Sequence, residues 1–282
     1  MKKSLEYVKE KPSKNWWPAL LYYFLFAVLG AALVSPFTTW ISPDKGIVEQ
    51  IGGLYTFAGS TFLAIAYTLW IKKRSIRALG FKKENCLGQY GLGLILGLGM
   101  ACCVIGTASL FSGFSFASQD SVDWLWILVA ALGFFIQGLT EEVLTRGYLF
   151  NELASHLSRV WATLISALAF MGLHAANPGM TLMPVINLFV FGLVFALLFW
   201  LTDNIWLVGA AHSIWNFTLG PLLGIEVSGQ VFPKTIFISQ ARADLPLING
   251  GSFGVEASIF TTFFGLLACL YMVCLLRKRG EN

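Results

Sequence analysis

Glu141 and Glu142 stand side by side in a strongly apolar run, with Arg146 four residues after the second acid. On a helix Glu142 and Arg146 share a face and can pair. Glu141 is turned about 100° away and has no partner between Leu139 and Arg146, which leaves it free to take a proton from water as a general base. An ionisable side chain in a bilayer costs roughly 2.5–3.5 kcal/mol on insertion scales, so acids there are functional candidates by default. Two of the three histidines, His174 and His212, also fall in or beside apolar segments and repeat the four-residue spacing, as Phe170 with His174 and His212 with Asn216. Each pair shares one helix face. A neutral imidazole orients a water or accepts its proton, and an asparagine amide donates to a developing oxyanion. Hydrolysis of an amide needs both.

These residues must be positioned by membrane helices. The chain has 282 residues, is 56% hydrophobic and only 12% charged, which excludes an ordinary soluble domain and predicts an all-α, polytopic membrane bundle. Apolar runs at 16–41, 51–71, 87–111, from 124 to near Arg146, 160–173, 181–201, 205–223 and 252–276 give about eight transmembrane helices. Residues 1–15 form an N-terminal tail, 16–276 one transmembrane helical domain with its catalytic core at 124–223, and 277–282 a C-terminal tail. The first run is too long for a signal-peptide core. Trp16, Trp17, Tyr22 and Tyr23 open it as an interfacial anchor, and Pro36 is placed to kink it. A polar link is expected at 42–50, and the long polar stretch 224–251 reads as a plain loop, the alternative being that with Phe232, Phe237 and Ile238 it covers the site or binds a partner. Gly93 and Gly97 have the G-x-x-x-G spacing that lets a second helix approach.

All but three of the 19 Lys and Arg side chains, the exceptions being Lys45, Lys234 and Arg242, fall on one side of this arrangement. That asymmetry predicts a multi-pass protein of the cell membrane with both termini cytoplasmic. The net charge of +4 points to anionic lipid as the partner and not to nucleic acid, since no aromatic and basic residues interleave along a strand. The five cysteines, Cys86, Cys102, Cys103, Cys269 and Cys274, contain no C-x-x-C pair and read as small buried apolar residues. Nothing in the sequence encodes an oligomeric state.

The helix lengths raise one difficulty. At 1.5 Å per residue, Glu141 lies about 25 Å from the outer end of its helix and His174 about 21 Å from the inner end of its own. In a core of about 30 Å they differ in depth by roughly 15 Å. Either the site helix runs on past Arg146, or the segment before His174 dips into the membrane. Residues 147–159 have the pattern of an interfacial amphipathic helix, yet the mismatch predicts that they are embedded.

In order along successive apolar segments, Glu141-Glu142-x-x-x-Arg146, Phe170-x-x-x-His174 and His212-x-x-x-Asn216 resemble the three motifs of the CAAX-protease and bacteriocin-processing (Abi) family, which includes the type II CAAX prenyl endopeptidases. The resemblance spans roughly 124–223. It implies an intramembrane endopeptidase in which Glu141, helped by His174, activates the attacking water. His212 and Asn216 would stabilise the oxyanion, with Glu142 and Arg146 as a supporting pair. The implied substrate is a membrane-associated or lipidated protein, or a peptide precursor. No metal is required by this scheme, although Glu141, His174 and His212 are the donors a zinc ion would use. No H-E-x-x-H occurs. Two other classes compete. A proton- or cation-coupled transporter would use the same ionisable residues but predicts internal repeats, and the site residues have no counterpart in the first half. A non-catalytic immunity or scaffold protein would keep the motifs and tolerate Glu141→Gln.

Overall fold

The computed structural model describes residues 2–41 and 47–281, so most of the expected polar link at 42–50 lies outside the described residues. After a short helix α1 (Ser4–Lys9) come α2 (Trp17–Ile41), α3 (Ile47–Ala66, continued as a π turn through Ile71), α4 (Cys86–Leu110) and α5 (Trp124–Glu142). Helix α5 does not stop there. It continues as a π-helix over Val143–Phe150 and as α6 (Asn151–Ala154), a single rod from Trp124 to Ala154. The remaining helices are α7 (Arg159–Leu173), α8 (Leu182–Thr202), α9 (Ile205–Phe217, continued as a π turn through Leu222), α10 (Pro246–Asn249) and α11 (Ile259–Lys278). Strands β1 (Phe114–Ser118) and β2 (Phe237–Ala241) pair antiparallel, Phe114 opposite Ala241.

The chain is an all-α multi-pass membrane bundle. Among the described residues six helices are long and apolar enough to cross a bilayer; α7, with 15 residues, and α9, with 13, are shorter. Outward-facing Leu33, Ile95, Phe263 and Leu270 are exposed, as a lipid-facing coat requires. Cys102, Cys103 and Cys274 are exposed with them and Cys86 and Cys269 half-buried, against the expectation of burial, because they stand on the outer faces of their helices. Side-chain caps set the starts of the site helices. Asp123 accepts from the Trp126 amide at 3.0 Å ahead of α5, Ser158 from Trp161 at 3.3 Å ahead of α7, and Asn204 from Trp206 at 3.0 Å ahead of α9.

The long α5 rod resolves the depth mismatch by the first of the two routes. Glu141 lies 13 residues before Ala154 and His174 lies 15 after Arg159, about 20 Å and 22 Å from their inner ends. The two side chains therefore meet at one level. Residues 147–154 are buried within the bundle and do not lie on a surface, because Asn151 donates to the carbonyls of Ala78 and Gly147 and to Ser4, and Glu152 pairs with Arg74. His156, beyond that segment, is exposed.

Helix α9 is the axis of the bundle, packed between α4 and α5. A Cβ at Gly93 or Gly97 would sit 2.2 Å from the carbonyl oxygens of Leu207 and Ala211, so both positions must stay bare for α4 to touch α9. Gly138 does the same on the other side, where a Cβ would lie 2.7 Å from the Ser213 amide nitrogen. This crossing brings His212 against Glu141 and Glu142.

At one end of the bundle charged groups knit the chain together. Lys3 and Arg159 both pair with Glu281, at 2.7 and 2.6 Å, and Lys82 pairs with Asp203 at 2.6 Å. Asp203 also accepts from the amide and hydroxyl of Ser4. Both ends of the chain thus lie on one face. Helix α11 begins seven residues later than the expected span at 252, because Gly251–Phe253 and Val255–Ala257 form two separate 3-10 turns. Glu256 consequently sits on a turn beside the site instead of within a spanning helix.

Candidate active site

Glu141, Glu142, Arg146, His174, His212 and Asn216 come together on the wall of one cavity of about 900 Å³ or directly behind it. The two glutamates have different surroundings. Glu142 is fully buried behind the wall, where Oε1 accepts from Arg146 Nη1 at 3.0 Å and from His212 Nδ1 at 2.8 Å. Arg146 is also fully buried; Nη2 donates to the Gly192 carbonyl at 3.0 Å, and the guanidinium lies 4.8 Å from the Phe170 ring centre and 5.5 Å from that of Phe195. These aromatic faces partly replace the water the cation has lost. The same Phe195 ring stacks on His212 at 5.0 Å and 14°. One phenylalanine thus braces both the arginine and the imidazole.

Glu141 faces the cavity. Its Oε1 accepts from Gln137 Nε2 at 2.5 Å, one turn earlier on α5, so its partner lies just before the Leu139–Arg146 stretch. Its Oε2 has no hydrogen-bond partner among the described residues and stands 3.8 Å from both His174 Nε2 and His212 Nε2. The ring tautomers follow from the other nitrogens. His174 Nδ1 faces the Phe170 carbonyl at 2.9 Å and His212 Nδ1 faces Glu142, and both of those partners only accept. Each Nδ1 therefore carries a proton, and in the neutral rings each Nε2 presents a lone pair. Three acceptors converge on one point, an arrangement that a proton donor such as a water molecule satisfies.

The same atoms are poorly arranged for a metal. Adjacent donors around a tetrahedral zinc with bonds near 2.0–2.1 Å are about 3.3 Å apart. Here both carboxylate-to-imidazole distances are 3.8 Å, and among the described residues no three His, Cys, Asp or Glu side chains are disposed to hold a metal ion.

Asn216 donates through Nδ2 to Gln137 Oε1 at 2.9 Å, and its Oδ1 is buried without a hydrogen-bond partner among the described residues. Gln137 therefore links Asn216 to Glu141. It was not singled out from the sequence, although its position four residues before Glu141 puts it on the same helix face. Glu256 was missed as well. It is the only acidic residue between Asp244 and Glu281, and it was hidden within what reads as the start of the last span. Its carboxylate lines the cavity, accepting from Trp215 Nε1 at 3.2 Å, from Ser228 Oγ at 2.9 Å and from the Ser228 amide. Burial lifts this carboxyl above the usual glutamate range, opposed by the bonds from Ser228 and Trp215 and by the nearby His174 imidazole.

The stretch 224–251 is more than a plain loop. Val227, Ser228, Gln230 and Phe232 line the cavity. The segment is pinned where Asn177 Nδ2 donates to the Ser228 carbonyl at 3.0 Å and the Gly229 amide to that of Phe253 at 3.0 Å. Gly229 has φ +80°, and a Cβ there would lie 2.1 Å from the Pro178 carbonyl oxygen, so only glycine fits this tuck.

Residues 123–218, from the cap of α5 to the end of α9, match the model of the family described as Type II CAAX prenyl endopeptidase Rce1-like. All six motif residues fall inside the matched segment. No curated protein matches the chain.

Proposed function

We propose, taking this family match together with the convergence on Glu141, that the protein is an intramembrane endopeptidase. It hydrolyses a peptide bond of a membrane-associated or lipidated protein, or of a peptide precursor, using a water activated by glutamate. The observation that carries this reading is the meeting of Glu141 Oε2, which has no hydrogen-bond partner among the described residues, with His174 Nε2 and His212 Nε2 on a cavity wall.

A water bound there donates to Glu141 and to one imidazole, which leaves a lone pair aimed at a substrate carbonyl in the cavity. Glu141 takes its proton as the water attacks. Gln137 holds the carboxylate through Oε1 and keeps Oε2 directed at the water. His212 takes up a proton from solvent before the attack, its charge balanced by Glu142, and Nε2–H then donates to the tetrahedral oxyanion beside the Asn216 amide; that proton returns to solvent after the products leave. Glu141 returns its proton to the leaving amine. No metal takes part in this scheme, and a zinc-dependent route through the same three side chains is the alternative.

The basic asymmetry supports a cytoplasmic position for the face with both chain ends, with the protein in the cell membrane. The test is cleavage of membrane-inserted peptides by the purified full-length protein in lipid vesicles. Wild type should cut them and Glu141→Gln should not; equal cleavage by both would refute the assignment.

A further inference from the structure

The residues lining the cavity include two carboxylates, Glu141 and Glu256, and among the described residues no lysine or arginine. Arg146, which pairs with Glu142 behind the wall, is fully enclosed and committed to Glu142 and the Gly192 carbonyl. Only one of the two carboxylates is used by the hydrolysis. Glu256 is held by three donors, Trp215 Nε1 and the amide and hydroxyl of Ser228, so it is fixed in place on the wall that also carries His174. Oε1 accepts from Trp215 and retains a free lone pair, since a carboxylate oxygen can accept two hydrogen bonds.

We infer that Glu256 is a specificity-determining residue. It makes the cavity accept peptide segments that are apolar, uncharged or basic and reject those with an acidic side chain near the scissile bond. This rests on the endopeptidase reading above. At an intermediate dielectric a like charge within about 10 Å corresponds to roughly tenfold in binding. A lysine or an amide N–H at the same place meets the free lone pair of Oε1 instead. The substrates implied are apolar segments, or segments with a basic residue, in preference to segments with an acidic side chain.

The experiment uses the full-length protein in detergent at pH ~8.5, on the alkaline side because burial lifts the Glu256 carboxyl above the usual glutamate range. The probes are C-terminally amidated, fluorescently labelled Ala/Leu/Gly peptides in which a single Asn, Asp or Lys is walked along the chain. Binding is read by anisotropy in a Glu141→Gln background, where no cleavage intervenes, and cleavage is read separately with Glu141 intact. The expected result is that, at one or two successive positions, Asp binds about tenfold more weakly than Asn and Lys at least as well as Asn. Adding Glu256→Gln should bring the Asp-to-Asn ratio there to near one. Ser228→Ala loosens the same anchor without removing the charge, and should leave the ratio unchanged. Equal binding of Asp and Asn peptides at every position overturns the inference, as does a penalty that persists in Glu256→Gln or disappears in Ser228→Ala. If Glu256→Gln does not fold, the ranking of the three peptides by the Glu141→Gln protein alone decides it. An absence of cleavage with a clear binding ranking counts against the endopeptidase reading only.

Discussion

Glu142 accepts from Nδ1 of His212 at 2.8 Å, and this bond turns Nε2 of the ring toward Glu141. Two adjacent glutamates thereby differ in setting, one orienting the imidazole and one facing the cavity. The difference follows from α5, which points Glu142 at α9 and Arg146 while Glu141 opens onto the cavity.

Arg146 is the one lysine or arginine paired with Glu142 among the described residues, and both are fully buried. Arg146→Met should destabilise the protein by about 3–5 kcal/mol by leaving a buried charge uncompensated, whereas the double change with Glu142→Leu should recover much of that loss. Thermal unfolding of the detergent-solubilised variants checks this, with activity absent in both.

Gly138 sets the approach of α5 to α9 at the level of the site. Gly138→Ala should force the helices apart against the Ser213 amide, with the bundle still inserted but kcat lowered by on the order of 100-fold, as a shift of about 1 Å between reacting groups implies. Gly91→Ala, where a Cβ meets nothing within 4 Å, is the matched control and should remain active.

Gln137→Leu removes the donor to Glu141 Oε1 and the acceptor for Asn216 together. A hydrogen bond to a charged group is worth about 1.5–3 kcal/mol, so kcat should fall roughly 10- to 100-fold with KM little changed. Steady-state kinetics on one peptide separates the two parameters.

Asp123 caps α5 and pairs with Lys234 at 2.6 Å; the Lys234 ammonium, with the Trp126 amide, holds its carboxyl below the usual range. A carboxyl depressed in the folded state stabilises the fold above its unfolded value near 3.9 and loses that contribution as pH falls through the folded value. Asp123→Asn should therefore lower the melting temperature at neutral pH and leave it nearly unchanged in strong acid. A pH series of thermal melts compares the two proteins.

Removal of divalent metal should leave cleavage intact, because the carboxylate-to-imidazole distances suit a bridging water better than a zinc ion. Treatment with a strong chelator followed by assay, then zinc re-addition, tests this. Loss of activity that zinc alone restores would assign the site to metal chemistry.

The bundle and the six motif residues were legible in the sequence because bilayer burial makes long apolar runs and isolated charges conspicuous. Spacing alone separated Glu142, paired with Arg146, from Glu141. What the sequence hid depended on distant parts of the chain. The run from Gly147 to Ala154 has the mixed pattern of a surface helix because its polar residues meet Ser4, Arg74 and Ala78, which lie far away in sequence. Glu256 looked like the start of a span because its turn is apolar on both sides, and its partners Trp215 and Ser228 come from other elements. Gln137 was within reach, since helical spacing alone places it under Glu141.

The most direct test of the central claim is a quantitative survey of protein and peptide termini in cells carrying the wild-type chain, the Glu141→Gln chain at equal membrane abundance, or neither. The structure predicts specific new termini with the wild type only, and those termini identify the substrate. Identical termini in all three, with a phenotype shared by wild type and Glu141→Gln, would contradict the endopeptidase assignment and leave a scaffold in its place.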